Sequence, residues 1–191
     1  PFVLTPSPSM DILVSSNLER QLFELTGRNA ASIASWMKDL NENRRFRIDE
    51  ETFARLRETF SADSIDNERC LTTIKDVLDS FDYLIDPHTA VAFAVAQNIR
   101  GNNPVLIAST AHWAKFGDNV YRALHGMKPG QDLPEDVASL TGCQLNELIA
   151  DETGKHDIPA GLSSLDNMDA RFSEVIDVDS IEAATMVFLG K

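Results

Sequence analysis

The sequence predicts an α/β protein in which helices greatly outnumber strands. Apolar residues recur at helical intervals over most of the first 81 residues. One continuous apolar run, at residues 104–108, is followed by turn residues and then by a further helical pattern. Such a run is typical of a central parallel strand, buried on both faces. The order helix, strand, turn and helix therefore indicates an α/β unit with few strands of its own.

Four amphipathic helices are predicted before residue 82. The first should start near Ser16, because Ser16 and Glu19 have the spacing of a capping box, and Gly27 is placed to end it. Cys70 belongs to the apolar stripe of the fourth helix, which predicts a core position rather than a reactive thiol. The stripes of the second, third and fourth helices are Ile33, Trp36, Met37 and Leu40; Phe53, Leu56 and Phe60; and Cys70, Ile74, Val77, Leu78 and Phe81.

The second half of the chain contains the predicted α/β unit. Asp86 is expected to cap a helix whose first turn holds Pro87, where the missing N–H costs nothing. Residues 90–99 are rich in Ala and Val, which predicts a helix buried on most sides. The helix after the strand ends at Gly126. Shorter helices are predicted at 135–140, at 144–151 and from Ser180.

Charge and composition exclude several classes of protein. With 17 Lys and Arg against 30 Asp and Glu, the net charge of −13 disfavours binding to nucleic acid or to an anionic membrane. The apolar runs are far shorter than the roughly 20 residues of a membrane span. Cys70 and Cys143 have no metal-type spacing, so two free thiols in a cytoplasmic protein are expected. The first residue, Pro1, favours a piece of a longer sequence over a free-standing chain.

The best candidate for a functional site is the end of the predicted strand. In open α/β sheets, ligands bind beyond the carboxyl ends of strands and beside the next helix. Ser109 and Thr110 place two hydroxyls there, although the same residues could simply cap the helix. Lys115 lies nearby, but nothing local would make it reactive, so a surface or supporting role is expected.

Other kinds of site have little support. The four histidines are isolated from one another, without the paired spacing of zinc ligands, so no metal site is expected. The sequence also has no glycine-rich phosphate loop and no Gly-x-Ser-x-Gly elbow. The residues alone therefore describe an acidic α/β domain with one ligand-facing strand end.

Three motifs add a family resemblance. The segment Ser7-Pro8-Ser9-Met10-Asp11, continuing to Arg20, resembles the segment after the cofactor-phosphate loop of bacterial and fungal threonine synthases. The runs Asp86-Pro87-His88-Thr89-Ala90 and Ser109-Thr110-Ala111-His112-Trp113-Ala114-Lys115 resemble two late motifs of that family and occur in the family's order. Trp113 stands where many members have proline, which should alter the local turn more than the chemistry.

The resemblance implies the C-terminal part of a fold like that of the tryptophan synthase β-subunit, with pyridoxal phosphate as cofactor. It implies a lyase of threonine biosynthesis that converts O-phospho-L-homoserine and water into L-threonine and phosphate. The cofactor lysine and the phosphate cup of the family precede the first motif, so no catalytic residue is assigned in this chain. Thr110 matches the hydroxyl that the family places against the pyridine nitrogen, and Ser109 is the next candidate. Ser9 and Asp11 are weaker candidates for the substrate side, since Asp11 could equally cap backbone N–H groups.

Two functional hypotheses remain open on the sequence. In the first, residues 1–165 are the C-terminal part of a catalytic region and residues 166–191 are an extension of unknown role. Its partners are then the N-terminal part of the same enzyme and the small-molecule substrate. In the second, the chain is a non-catalytic interaction or regulatory module that keeps only the scaffold.

Overall fold

The protein is described by a computed structural model that covers residues 3–99, 101–170 and 173–190. Helices and loops make up all of these ranges. The α-helices are α1 (Ser16–Leu25), α2 (Ala30–Asn43), α3 (Glu50–Thr59), α4 (Asn67–Phe81), α5 (Pro87–Ile99), α6 (Gly117–Leu124), α7 (Glu135–Ala138), α8 (Gly142–Thr153), α9 (Ala160–Ser163) and α10 (Ile181–Phe188). Short 3-10 turns occupy Pro8–Asp11, Trp113–Lys115, Leu165–Asn167 and Val178–Ser180.

Helix α1 starts at the predicted residue but with a different cap. The Ser15 hydroxyl accepts a hydrogen bond from the Leu18 amide at 3.4 Å, so Ser15 is the N-cap and Ser16 is the first helical residue. The predicted capping box of Ser16 and Glu19 is therefore wrong, and no box replaces it, because the third residue after Ser15 is Leu18. The helix ends as expected, because Gly27 adopts φ +67°, which glycine reaches without a steric penalty. Helix α1 packs against α2 and α3.

The main hydrophobic core lies among α4, α5, α6 and α8. Helix α4 packs against both α5 and α6, and α6 packs in turn against α8. Cys70 is buried in this core, as its place in the stripe predicted. The fully or nearly fully buried members of the core include Leu71, Ile74, Val77, Ala90, Trp113, Val120, Leu145, Ile149 and Ala150.

The predicted strand at residues 104–108 is not formed within the described residues. The described residues contain no strand, and this segment is a loop whose residues are exposed except for the half-buried Ile107; Leu106 is 98% exposed. A strand exists only when its backbone N–H and C=O groups pair with a neighbouring strand, and the described residues supply none. The α/β class is therefore not seen here: the chain itself is helical, with one apolar segment that has no pairing partner in the described ranges.

Helix α5 is buried less completely than its composition predicts. Asp86 caps it and Pro87 occupies its first turn, as expected, and residues 84–90 are all buried. Burial decreases along the helix until residues 97–99 are exposed. The prediction of burial on most sides is therefore wrong for its last turn, because no described element covers that end.

The later helices follow the predicted places. Helices α7 and α8 fall at the two short patterns, and α10 begins one residue after Ser180. Helix α10 is apolar, yet its large side chains are exposed, and it packs chiefly against the neighbouring 3-10 turn. No helix in the described part of the chain is both long and apolar enough to cross a membrane.

Candidate functional site

Three segments far apart in sequence meet at the start of α5. They are the loop and 3-10 turn before α1, the first turn of α5 itself, and the turn that follows residue 108. These are the same three segments that carry the sequence motifs. Side-chain hydrogen bonds join them into one cluster, which we call the hydroxyl cluster: Ser7, Ser9, Asp86, His88, Thr89 and Ser109.

His88 links the first segment to α5. Its Nδ1 atom is hydrogen-bonded to the Ser7 hydroxyl, and its Nε2 atom lies 3.2 Å from the Ser9 hydroxyl. Ser7 is only 1% exposed and His88 only 9%, so the contact between them is largely shielded from water. The edge of one ring meets the face of the other between His88 and Phe116, whose centroids are 4.8 Å apart. The imidazole is therefore held on both nitrogens and by its ring.

Asp86 fixes the backbone that presents these groups. One carboxylate oxygen accepts from the backbone N–H of His88 at 2.8 Å and of Thr89 at 3.3 Å. The other accepts from the Thr89 hydroxyl. Asp86 is 1% exposed, and a buried carboxylate requires such donors to offset its lost hydration. Asp86 thus acts as the predicted cap and also orients the side chain of Thr89.

Thr89 links α5 to the third segment. Its oxygen lies 2.9 Å from the Ser109 oxygen. Because the single hydroxyl proton of Thr89 is directed to Asp86, Ser109 is the donor in this pair, in preference to its longer contact of 3.4 Å with the Ala111 carbonyl. Ser109 is therefore oriented by α5 rather than acting as a simple helix cap. Thr110, the next residue, is exposed, and its hydroxyl has no hydrogen-bond partner among the described residues.

The two weaker candidates, Ser9 and Asp11, have different surroundings. Asp11 accepts hydrogen bonds from the Thr5 backbone N–H at 3.1 Å and from the Thr5 hydroxyl at 2.8 Å, which closes the loop before α1. This favours the capping interpretation of Asp11. Ser9 is exposed and lies at the outer end of the contact with His88.

The residues after Thr110 stabilise the turn. His112 Nδ1 accepts from the backbone N–H of Ala114 at 3.2 Å, and its Nε2 lies 3.6 Å from Asp157. Lys115 is exposed at the end of the 3-10 turn, in keeping with a surface role. Trp113 is 2% exposed and is the largest fully buried side chain, so its effect extends from the local turn into the core. No group of three or more metal-ligating side chains occurs within the described ranges.

Cys70 is a core residue that lies next to the hydroxyl cluster, and its thiol is not ionised. The Cys70 thiol donates to the backbone carbonyl of Pro87 at 3.6 Å, directly beneath the start of α5. Burial, with a smaller effect from the charge of Asp86, raises the pKa of Cys70 to about 12. The thiol is therefore neutral at physiological pH and contributes packing and a weak hydrogen bond.

Sequence reasoning found Ser9, Ser109 and Thr110 but assigned no role in the site to Ser7, His88 or Thr89. All three of these residues stand inside the recognised motifs, so the signal was present in the sequence. What could not be read is their contact, because Ser7 and His88 are 81 positions apart. Only the folded chain shows that the motifs form one cluster.

Comparison with known proteins gives a consistent result. Residues 89–185 match the family model described as the C-terminal region of threonine synthase. The threonine synthase of Pseudomonas aeruginosa is 35% identical over 136 residues, which cover 70% of this chain and 29% of that protein.

Two solved structures are also similar. The pyridoxal-phosphate-bound threonine synthase from Brucella melitensis has a TM-score of 0.61 and 33% identity, covering 83% of this chain and 36% of that one. The threonine synthase from yeast has a TM-score of 0.66 and 28% identity, covering 100% of this chain and 37% of that one. The chain spans between 16% and 31% of the length of curated relatives that it matches.

Proposed function

We propose, because this chain belongs to the threonine synthase family, that it forms part of an enzyme that converts O-phospho-L-homoserine and water into L-threonine and phosphate. The observation that carries this proposal is the hydroxyl cluster, in which the three family-like motifs meet around the first turn of α5. In this proposal, residues 1–165 belong to the catalytic region and residues 166–191 form an extension. The complete enzyme is proposed to act in the cytoplasm.

The residues at the cluster suit pyridoxal phosphate as the cofactor of the complete enzyme. When bound, this cofactor supplies the electron sink for reactions at the carbons of an amino acid. The Thr110 hydroxyl is exposed and has no partner among the described residues, so it is available to bond a neutral pyridine nitrogen. The nearby carboxylate of Asp86 is buried and occupied by three donors, so it is not available for that contact.

Ser109 supports this arrangement from the protein side. It donates its proton to Thr89, which in turn donates to Asp86, so the position of the turn at Ser109 is linked to the capped start of α5. Thr110 follows Ser109 directly. The hydrogen bonds from Ser109 to Thr89 and from Thr89 to Asp86 therefore also restrain the backbone at Thr110. We assign Thr110 the contact with the cofactor and Ser109 the role of holding that turn in place.

The exposed apolar segments suit a partner that is the N-terminal part of the same enzyme. We propose that residues 104–108 join a parallel sheet supplied by that part, as expected for a fold like that of the tryptophan synthase β-subunit. The support is the exposed apolar run, which an isolated helical protein would not retain. The lysine that binds the cofactor is proposed to lie in that part too, so the isolated chain should not retain pyridoxal phosphate after dialysis.

The proposal is tested on the full-length protein that contains this chain, by measuring phosphate and L-threonine formed from O-phospho-L-homoserine. Thr110→Ala should lower kcat by up to about tenfold, since a net hydrogen bond is worth about 0.5–1.5 kcal/mol. Thr110→Ser, which retains the hydroxyl, should preserve most of the rate. Thr72→Ala, a matched change on the exposed face of α4, should change nothing. A well-folded wild-type protein that forms no threonine would favour the regulatory-module alternative instead.

A further inference from the structure

His88 has an environment unlike that of the other histidines in the chain. The side chains of His112, His125 and His156 are 26%, 39% and 65% exposed, and each lies near a surface carboxylate. The residue His88 is 9% exposed, and both of its nitrogens meet serine hydroxyls. Such a doubly bonded, buried imidazole has a defined pattern of donors and acceptors.

That pattern assigns the tautomer of the ring. The Ser7 hydroxyl is buried, and among the described residues its only partner is His88 Nδ1. If Nδ1 carried the proton, the hydroxyl proton of Ser7 would be left buried without an acceptor, which is unfavourable. Ser7 therefore donates to Nδ1, and the ring proton lies on Nε2. The Nε2–H group then donates to the Ser9 hydroxyl, 3.2 Å away.

This direction of donation determines what Ser9 can do. A hydroxyl that accepts from Nε2–H keeps its own proton free for another acceptor. Ser9 is exposed, so that proton can point away from the protein core. On the other side of the same helical turn, Thr89 holds Ser109 by a similar contact. Consecutive residues of α5 thus orient one hydroxyl from each flanking segment.

We propose that His88 is a positioning residue, which holds the Ser9 hydroxyl as a hydrogen-bond donor to an anionic oxygen of the substrate. The inference rests on the proposed function, because O-phospho-L-homoserine carries such oxygens on both its phosphate and its carboxylate. A hydroxyl proton aimed in advance at an anionic oxygen forms a charge-assisted hydrogen bond without further ordering of the side chain. His88 itself does not touch the substrate.

The test compares two amide variants of the full-length enzyme, each of which replaces one ring nitrogen of His88 in part. His88→Gln keeps an N–H donor near the position of Nε2 and should hold Ser9. His88→Asn keeps only an acceptor near the position of Nδ1 and should release Ser9. We expect Ser9→Ala and His88→Asn each to raise KM by about tenfold or more, with a much smaller change in kcat, while His88→Gln stays within about threefold of wild type. A purely structural role of His88, through its bond to Ser7, would make His88→Gln at least as damaging as His88→Asn, because only Asn keeps an acceptor near Nδ1. That result would overturn the proposal.

Product and analogue inhibition identifies which oxygen Ser9 binds. If His88→Asn and Ser9→Ala weaken inhibition by inorganic phosphate alone, the partner is the phosphate group. If they weaken inhibition by L-homoserine alone, the partner is the carboxylate. Unchanged inhibition by both probes would refute the assignment of Ser9 as a substrate donor.

A spectroscopic measurement separates this inference from the proposed function. Long-range ¹H–¹⁵N spectra of the histidine-labelled full-length protein should show His88 as the Nε2–H tautomer, with its signal identified by its loss in His88→Gln. An Nδ1–H tautomer would contradict the hydrogen-bond assignment whatever reaction the enzyme catalyses. Failure of the proposed function appears instead in the wild-type enzyme, as the absence of threonine formation.

Discussion

At the scale of the residue, burial of Trp113 stabilises the fold through packing but leaves its indole N–H without a hydrogen bond in the described part of the chain. Its side chain is 2% exposed, but the indole N–H has no hydrogen-bond partner among the described residues. A buried donor without a partner costs about 1–3 kcal/mol, whereas the buried ring stabilises the fold by more. Trp113 therefore contributes to the core as well as to the turn.

Replacement of Trp113 should separate these two contributions. Trp113→Ala should reduce the free energy of unfolding by about 3–5 kcal/mol, because it leaves a large cavity. Trp113→Phe removes the unpaired N–H together with part of the ring, so the two effects oppose each other and the change should be about 1 kcal/mol. Urea unfolding of the full-length protein, followed by circular dichroism, measures both. A loss in Trp113→Phe well above about 1 kcal/mol would show that the unpaired N–H carries little cost.

The raised pKa of Cys70 leads to a second prediction at this scale. Burial keeps the folded thiol protonated to about pH 12, whereas an unfolded thiol ionises near pH 9.0. The folded state therefore holds its proton more tightly, and the contribution to stability is complete below pH 9 and is lost as the pH rises towards 12. Cys70→Ala should make stability less dependent on pH in that window.

Alkylation gives an independent measurement of the same thiol. Iodoacetamide at pH 8 should leave Cys70 unmodified in the native protein and modify it fully in denaturant, as read by peptide mass spectrometry. Rapid native alkylation would show that the thiol is more accessible than its burial indicates.

At the scale of the element, helix α8 begins with a complete capping box. The Thr141 hydroxyl accepts from the Gln144 backbone N–H at 3.2 Å, and the Gln144 side chain accepts from the Thr141 backbone N–H at 2.9 Å. The Thr141 hydroxyl also donates to Asp166, which connects the start of α8 to the following 3-10 turn. The cap therefore stabilises the start of a helix that contributes Leu145, Ile149 and Ala150 to the core.

Removal of the cap should weaken α8 by a predictable amount. Thr141→Ala should lower the free energy of unfolding by about 1 kcal/mol, because an N-cap hydroxyl is lost. Thr141→Ser keeps that hydroxyl and should stay within a few tenths of a kcal/mol, which makes it the matched control. Thermal or urea unfolding of the same protein distinguishes them, and identical midpoints for wild type and Thr141→Ala would contradict the role of the cap.

At the scale of the whole molecule, the apolar surface is divided between a closed core and several exposed segments. The apolar side chains of the core around α4, α5 and α6 are buried by contacts within the chain. The segment at residues 104–108, the residues before α1 and the helix α10 all carry large exposed apolar side chains. This distribution agrees with the proposal that the N-terminal part of the same enzyme covers these segments.

Substitution of Leu106 tests that assignment. Leu106→Asp in the full-length protein should lower the free energy of unfolding by about 3 kcal/mol or more, because a carboxylate would be buried in the assembled sheet. Asn102→Asp adds the same charge at an exposed loop position nearby and serves as the control. Similar unfolding curves for the two variants would mean that Leu106 stays exposed in the full-length enzyme.

Local sequence patterns predict most of the helices of this protein and carry the family resemblance of its three motifs. Helices form hydrogen bonds between residues four positions apart, so the stripe of α4, the Asp86 cap of α5 and the short pattern of α8 could be recognised locally. The hydroxyls of Ser109 and Thr110 could be proposed as part of a site in the same way.

Tertiary structure decided the rest, because it depends on contacts between distant positions. The contact of Ser7 with His88, and that of Thr89 with Ser109, exist only after α5 has packed beside both flanking segments. The apolar run at residues 104–108 shows that a local pattern alone is not sufficient to form an element. Its sequence favours a strand, but a strand needs a neighbour for its hydrogen bonds, and the described part of this chain provides none.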